Sequence, residues 1–229
     1  RGDEYYITRS DWIFYFLSRK NKKVLFECHQ VSKIRKFVIK NIQNRKNSKI
    51  VFTTRSLRDS FSLNKEFIKQ TTFLHNGYDE DYFINTSSNK KKVIFVGNFI
   101  RFNKDRNINF LLESFKDPRL KDFNLTLVGG PEKYKNTLQK TVEEKKINNV
   151  SILGRLSRRE TIHEICSSGI GLLINSDSNL HSTHHTSPLK YFEYLRAGLK
   201  IVAVDFFSHR NLPEADKIMY FSNNDKKSF

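Results

Sequence analysis

Short apolar runs that stop at glycine recur through the second half of this chain, each followed by a stretch with helical spacing. Residues 92–97 (Lys-Val-Ile-Phe-Val-Gly) form one such run, 125–130 (Leu-Thr-Leu-Val-Gly-Gly) a second and 150–154 (Val-Ser-Ile-Leu-Gly) a third. Further strands are expected at 170–174 and 201–204, with helices at 108–115, about 132–145 and about 159–167. Near-continuous apolar strands are those buried on both faces, and their alternation with helices implies an open parallel sheet in an α/β fold. In such a sheet ligands gather outside the carboxyl ends of the strands, where these glycines fall.

The stretch from Ser187 to Val204 parses almost residue by residue. Ser187 is expected to cap a helix and Pro188 to take its first position. Leu189, Phe192, Leu195 and Arg196 are expected to trace its buried side, and Gly198 to stop it. Lys190 then falls in the first turn, where the helix dipole disfavours a cation by about 0.3–1 kcal/mol. A bound anion reverses that sign. Glu193, one turn on, carries a carboxylate able to accept hydrogen bonds from two neighbouring hydroxyls, such as those of a ribose. Phosphate at the helix start and sugar hydroxyls one turn later describe a nucleoside diphosphate. The plainer reading is an amphipathic surface helix with Lys190 and Glu193 in water.

The loop after the first run, 98–106, reads Asn-Phe-Ile-Arg-Phe-Asn-Lys-Asp-Arg, so cations follow the strand end directly. Residues 1–88 read as the back half of another α/β domain: a strand at 5–8, a helix at 12–17, a strand at 24–29 closing on His29, a basic helix and a strand at 50–54. A polar run at 86–90 (Thr-Ser-Ser-Asn-Lys) marks a boundary, giving domains at 1–88 and 89–229.

With these motifs in this order, the chain resembles the donor-binding half of a family 4 glycosyltransferase, a member of the glycosyl transferases group 1 with the GT-B fold. The resemblance rests on five segments: Val96-Gly97 with its basic loop, 149–154 (Asn-Val-Ser-Ile-Leu-Gly), the linker around His75-Asn76-Gly77, the 53–59 strand-to-helix turn, and Ser-Pro-Leu-Lys-Tyr-Phe-Glu-Tyr from Ser187. It implies two Rossmann-like domains facing a cleft, the N-terminal one incomplete. It implies transfer of a hexose from a nucleoside diphosphate sugar to a hydroxyl, with retention of configuration and without a metal or other cofactor. Arg101, Lys104, Lys190 and the amides near Leu189 and Ser187 would face the diphosphate, beside Gly97 and Asn98. Glu193 would hold the ribose, the backbone near Arg155 and Leu156 the base, and His185 and His29 would border the sugar.

The sequence departs from the family pattern in two places. The family's first glutamate would stand eight positions before Glu193, where this chain has His185. The family's basic loop ends in a Lys-Gly pair; counted from Lys104, Asp105 stands where glycine is usual, and Asn98 stands where arginine is common. His181, His184 and His185 read either as a polar loop or as metal ligands, and His29 either as a core histidine or as a cleft residue.

Length and charge bound the rest. Two such domains need roughly 300 residues, whereas this chain has 229 and its sole methionine is Met219, so an internal fragment, incomplete at both ends, is expected. Cys28 and Cys166 stand singly, which suggests neither a disulfide framework nor a zinc site and fits a cytoplasmic protein. The net charge of +17 includes a cationic run from Lys33 to Lys49, a face suited to anionic lipid or a polyanionic acceptor. That charge also raises nucleic-acid binding, but the chain carries no zinc-finger, homeodomain or RRM signature and its aromatics fall in strand patterns. A third reading, a degenerate nucleotide-sugar-binding protein, follows from His185. The expected partners are therefore a nucleotide sugar and a glycan, glycolipid or other hydroxyl acceptor in polysaccharide biosynthesis, with peripheral membrane contact and no nucleic acid.

Overall fold

The computed structural model describes residues 4–84, 86–101 and 103–229; Arg1–Asp3, Asn85 and Phe102, the last within the basic loop, lie outside them. Packing divides the chain into two units, residues 1–76 with 184–187, and residues 77–183 with 188–229. Each has its own parallel sheet.

The first unit runs β1 (Tyr5–Thr8), α1 (Asp11–Arg19), β2 (Lys23–Cys28), α2 (Lys33–Ile42), β3 (Ser48–Phe52), α3 (Arg55–Asp59), α4 (Lys65–Ile68) and β4 (Thr71–Phe73). Its four strands lie in chain order, all parallel. The alternation expected of a strand with one helix-covered face is plain in β2: Val24, Phe26 and Cys28 are buried, while Lys23, Leu25 and Glu27 are partly exposed. Ser32 and Thr54 start α2 and α3 by accepting hydrogen bonds from the amides of Arg35 and Leu57.

The second unit runs β5 (Asn89–Val96), a hairpin of β6 (Ile100–Arg101) and β7 (Lys104–Asp105), α5 (Ile108–Ser114), β8 (Asn124–Val128), α6 (Glu132–Glu144), β9 (Val150–Gly154), α7 (Arg158–Cys166), β10 (Ser168–Leu173), α8 (Leu189–Arg196), β11 (Lys200–Val204), α9 (Phe207–Arg210) and β12 (Ile218–Phe221). The six-stranded sheet has the order β12-β11-β10-β5-β8-β9. Its direction of growth reverses between β5 and β10, as in a dinucleotide-binding sheet, and such a reversal opens a crevice at the strand ends. Alternate residues of β5 serve opposite faces: Val93 and Phe95 join one apolar cluster and Ile94 the other. Among the described residues no helix is long and apolar enough to cross a membrane.

The division falls at Asn76 rather than after residue 88. Residues 77–84 join the second unit because Phe83 packs on its core and Glu80 pairs with Arg196, Nε to Oε2 at 2.7 Å.

The buried side of α8 differs in part from the expected one. Leu189 is 49% exposed and Arg196 is exposed, Phe192 and Leu195 are half-buried against the core as expected, and Lys190, Tyr191, Glu193 and Tyr194 are buried. Two tyrosines do the packing because each combines an apolar ring with a polar tip that finds a partner. Tyr191 donates to the Pro213 carbonyl; the Tyr194 hydroxyl accepts from the Val96 amide at 3.1 Å. The Tyr194 ring lies where a side chain on β10 would be, since a Cβ on Gly171 would come within 2.4 Å of its Cδ2. Gly171→Ala is therefore expected to destabilise the fold by about 1–3 kcal/mol, the range for overpacking. Urea unfolding checks it; an unchanged midpoint would show that the ring has room to move.

Candidate functional site

The crevice where β5 and β10 diverge is built first by glycine. Gly97 follows β5 with φ 136°, and a Cβ added at Gly129, beyond β8, would lie 1.9 Å from the Gly97 carbonyl oxygen. The Gly97 amide donates to Val128 O at 2.9 Å and that of Phe99 to Gly130 O at 2.7 Å, so the two strand ends are held backbone to backbone.

Two cations close on Gly97. A Cβ there would meet Arg106 Nη1 at 3.4 Å and Lys190 Nζ at 3.7 Å. Arg106 is aimed by Asn175, which is buried just past β10 and accepts from Arg106 Nε at 3.1 Å; the Asn98 carbonyl accepts from Nη1 at 3.4 Å. Lys190 Nζ lies 3.6 Å from the centre of the Phe95 ring and is buried with no hydrogen-bond partner among the described residues. Burial, with the Arg106 and Arg101 charges adding to it against Glu193, holds the Lys190 ammonium well below the ordinary lysine range. Burial and Arg101 likewise pull Arg106 down to about 10. Cations crowded together away from water are unfavourable unless an anion joins them.

Arg101, on β6, contributes to this field, and its Nη2 lies 3.0 Å from His181 Nε2. Lys104, on β7, is exposed, and no described contact joins it to the group. The loop cation that stands beside Gly97 is Arg106, which the loop spacing had not singled out, and backbone conformation accompanies it. Asn107, not Asp105, has the left-handed φ of 64° that glycine usually supplies, directly before the α5 helix and next to Arg106. Asparagine tolerates that conformation best among non-glycine residues, and Asn directly before an apolar helix was the available signal.

Glu193 is 2% exposed and pairs with Arg158 Nη1, from the first turn of α7, a residue the spacing of motifs did not single out. Pro188, not Ser187, occupies the cap position of α8, which has no side-chain cap, leaving its first amides available to a ligand. Ser187 instead belongs to the first unit, its Oγ accepting from the Asn76 amide at 3.1 Å and lying 3.2 Å from His75 Nδ1. Leu189 is exposed at the helix start. Arg155 and Leu156 follow β9; the Arg155 side chain lies over Gly130, where a Cβ would meet Nε at 2.7 Å, and Leu156 packs against the core.

His185 and His29 lie in the first unit. His185 is buried with Nδ1 3.3 Å from Ser56 Oγ, and its Nε2 has no hydrogen-bond partner among the described residues. Burial, assisted by His184, lowers its pKa, which favours the neutral ring. His29 stands just past β2, its Nε2 3.5 Å from Glu27 Oε2. Among the described residues no group of three or more His, Cys, Asp or Glu could hold a metal ion.

A buried, unpartnered ammonium costs stability when no ligand is bound. Lys190→Met should therefore stabilise the ligand-free chain by about 1–3 kcal/mol near neutral pH. Because the Lys190 pKa is depressed in the folded state relative to 10.5, its contribution to stability is fully restored only above that value and lost as pH falls through the folded pKa. The advantage of the variant should shrink as pH rises toward 10.5. Paired thermal melts across pH check this; a variant less stable than the parent would give Lys190 a structural role.

Residues 90–229 match the sequence family described as glycosyl transferases group 1. No curated protein sequence matches the chain. Among solved structures, a glycosyltransferase from Rickettsia africae superposes with TM-score 0.72 at 15% identity, over 98% of this chain and 64% of its own. Sucrose-phosphate synthase from Thermosynechococcus elongatus gives 0.68 at 17% identity, over 98% and 61%. Anabaena HepE in complex with UDP gives 0.65 at 14%, over 98% and 66%. The chain thus spans between 61% and 66% of the length of these three solved chains. At such identities the superpositions establish a common GT-B fold, and the match across residues 90–229 shows that this chain belongs to the glycosyl transferases group 1.

Proposed function

We propose that the second unit binds a nucleoside diphosphate sugar and that the protein transfers its hexose to a hydroxyl acceptor with retention of configuration. One observation carries this reading: the Lys190 ammonium is buried with no hydrogen-bond partner among the described residues, beside Arg106 at the glycine-lined end of β5. A diphosphate supplies the missing charge. As the bond from the anomeric carbon to the diphosphate oxygen breaks, its electron pair stays on the phosphate, where Arg106, Lys190 and Arg101 stabilise it, together with the uncapped amides of α8. The acceptor oxygen bonds the anomeric carbon, and its proton passes to the leaving phosphate. These fixed cations can serve the leaving group without a metal ion, and Glu193, held by Arg158, is suited to ribose hydroxyls. HepE was solved with UDP, so uridine nucleotides are the first to test.

Arg106→Ala should weaken UDP binding by about 10–100-fold, the loss of a charge-assisted contact, and leave uridine binding unchanged. Lys104→Ala, exposed on the hairpin, should weaken it less. Calorimetric titration of both variants with UDP and uridine decides; unchanged UDP affinity in Arg106→Ala removes the diphosphate assignment. For His185 we propose contact with the transferred sugar, supported by the resemblance and by its buried Nε2, which has no hydrogen-bond partner among the described residues. His185→Ala should lower turnover while barely changing UDP affinity, and wild-type turnover would sink that role.

A further inference from the structure

In the first unit α1 and α2 pack side by side, and each buries only one side. α1 turns Phe14 and Ser18 inward and leaves Trp12, Ile13 and Phe16 exposed by 48, 52 and 57%. α2 buries Arg35, Val38, Ile39 and Ile42 and leaves Ile34 and Phe37 exposed by 50 and 53%. The exposed rings are contiguous: Trp12 lies 6.4 Å from Phe16 and 6.1 Å from Tyr15, and Tyr15 stacks on Phe37 at 6.5 Å across the two helices. Single exposed apolar residues are ordinary, whereas a joined aromatic patch marks a surface with a partner.

Apart from Asp11, which Arg35 neutralises, the charges on α1 and α2 are positive. Lys33, Lys36 and Lys40 stand exposed on α2, which carries no acidic residue, and they form no ion pair among the described residues. Arg35 is the exception: it turns inward and pairs with Asp11 at 2.6 Å. The Arg19 guanidinium, at the end of α1, sits 5.7 Å over the Tyr15 ring.

We infer that this face of α1 and α2 docks on an anionic lipid bilayer. Indole and phenol rings suit the boundary between headgroups and acyl chains, and lysines beside them reach lipid phosphates while their stems cover apolar surface. A polyanion alone would leave Ile34, Phe16 and Phe37 in water, and an apolar protein partner would leave the lysines uncompensated. Charge complementarity and exposed aromatics together select the membrane surface. The inference rests on these two helices and not on the transfer reading.

Trp12 is the sole tryptophan of the chain, so its emission reports from the middle of the patch. The 229-residue chain is mixed with phosphatidylcholine vesicles with and without phosphatidylglycerol. With the anionic lipid, the chain should sediment with the vesicles, Trp12 emission should shift to the blue and resist acrylamide, and added salt should reverse both. Lys36→Glu with Lys40→Glu should lower partitioning by about tenfold or more, at roughly a fivefold loss per surface charge. Phe37→Ser should also lower it; the two lysines are exposed, so their variant should keep the parent's circular dichroism and melting, while Phe37→Ser, which loses the stack on Tyr15, should keep the helical circular dichroism with a slightly lower melting point. Absence of sedimentation with the anionic vesicles overturns the inference. So does sedimentation that none of these substitutions affects, which would put the lipid contact elsewhere. A blue shift that grows with protein concentration in the absence of vesicles would assign the face to a second copy of the chain and overturn it equally.

Discussion

The approach of Gly129 to the Gly97 carbonyl, too close for any side chain, is the contact on which the second unit's site depends. It lets the ends of β5 and β8 run side by side, and it turns the chain after Gly97 into the β6–β7 hairpin that returns as Arg106. Asn175, on the other side of the sheet's reversal, then fixes the guanidinium. A cation, a backbone turn and a neighbouring strand are thus set by one steric requirement.

Around that contact the local rules of stability are broken in one direction. Lys190 is buried on the inner side of α8 against Phe95, Arg106 shares its field, and the helix start is uncapped. His209, also near these cations, adds no charge: burial pushes it down to about 4, and its Nδ1 lies 2.8 Å from the Val204 carbonyl oxygen. Apolar packing elsewhere in the unit, on both faces of the six-stranded sheet, holds the cations in place. Such concentrated local cost is what a preorganised anion site requires, since the donors are in position before the ligand's charge develops.

Much of the fold was legible because strand and helix periods differ and glycine ends the strands. The runs at 92–97, 125–130 and 150–154 became β5, β8 and β9 with small shifts, and Glu132–Glu144 and Arg158–Cys166 are the expected helices. The face of α8 was legible only in part. Of the expected inner stripe, Phe192 and Leu195 do pack against the core, half-buried, whereas Leu189 and Arg196 are exposed; Tyr191 and Tyr194 are the fully buried residues, because Gly171 leaves one of them a space that no local pattern records. The same holds for Arg106: loop spacing pointed to Lys104, and the left-handed turn belongs to Asn107.

By itself the sequence determined the alternation of strand and helix, the glycines at strand ends and the excess of cations, because these are properties of short segments and of composition. Which cations face Gly97, which carboxylate pairs with which arginine, and that Ser187 serves Asn76 and not α8 were decided only by tertiary structure. The residues concerned are far apart in the chain. Arg106, Asn175 and Lys190 come together only once β10 is laid beside β5, and the cost of burying Lys190 arises only in that packed state.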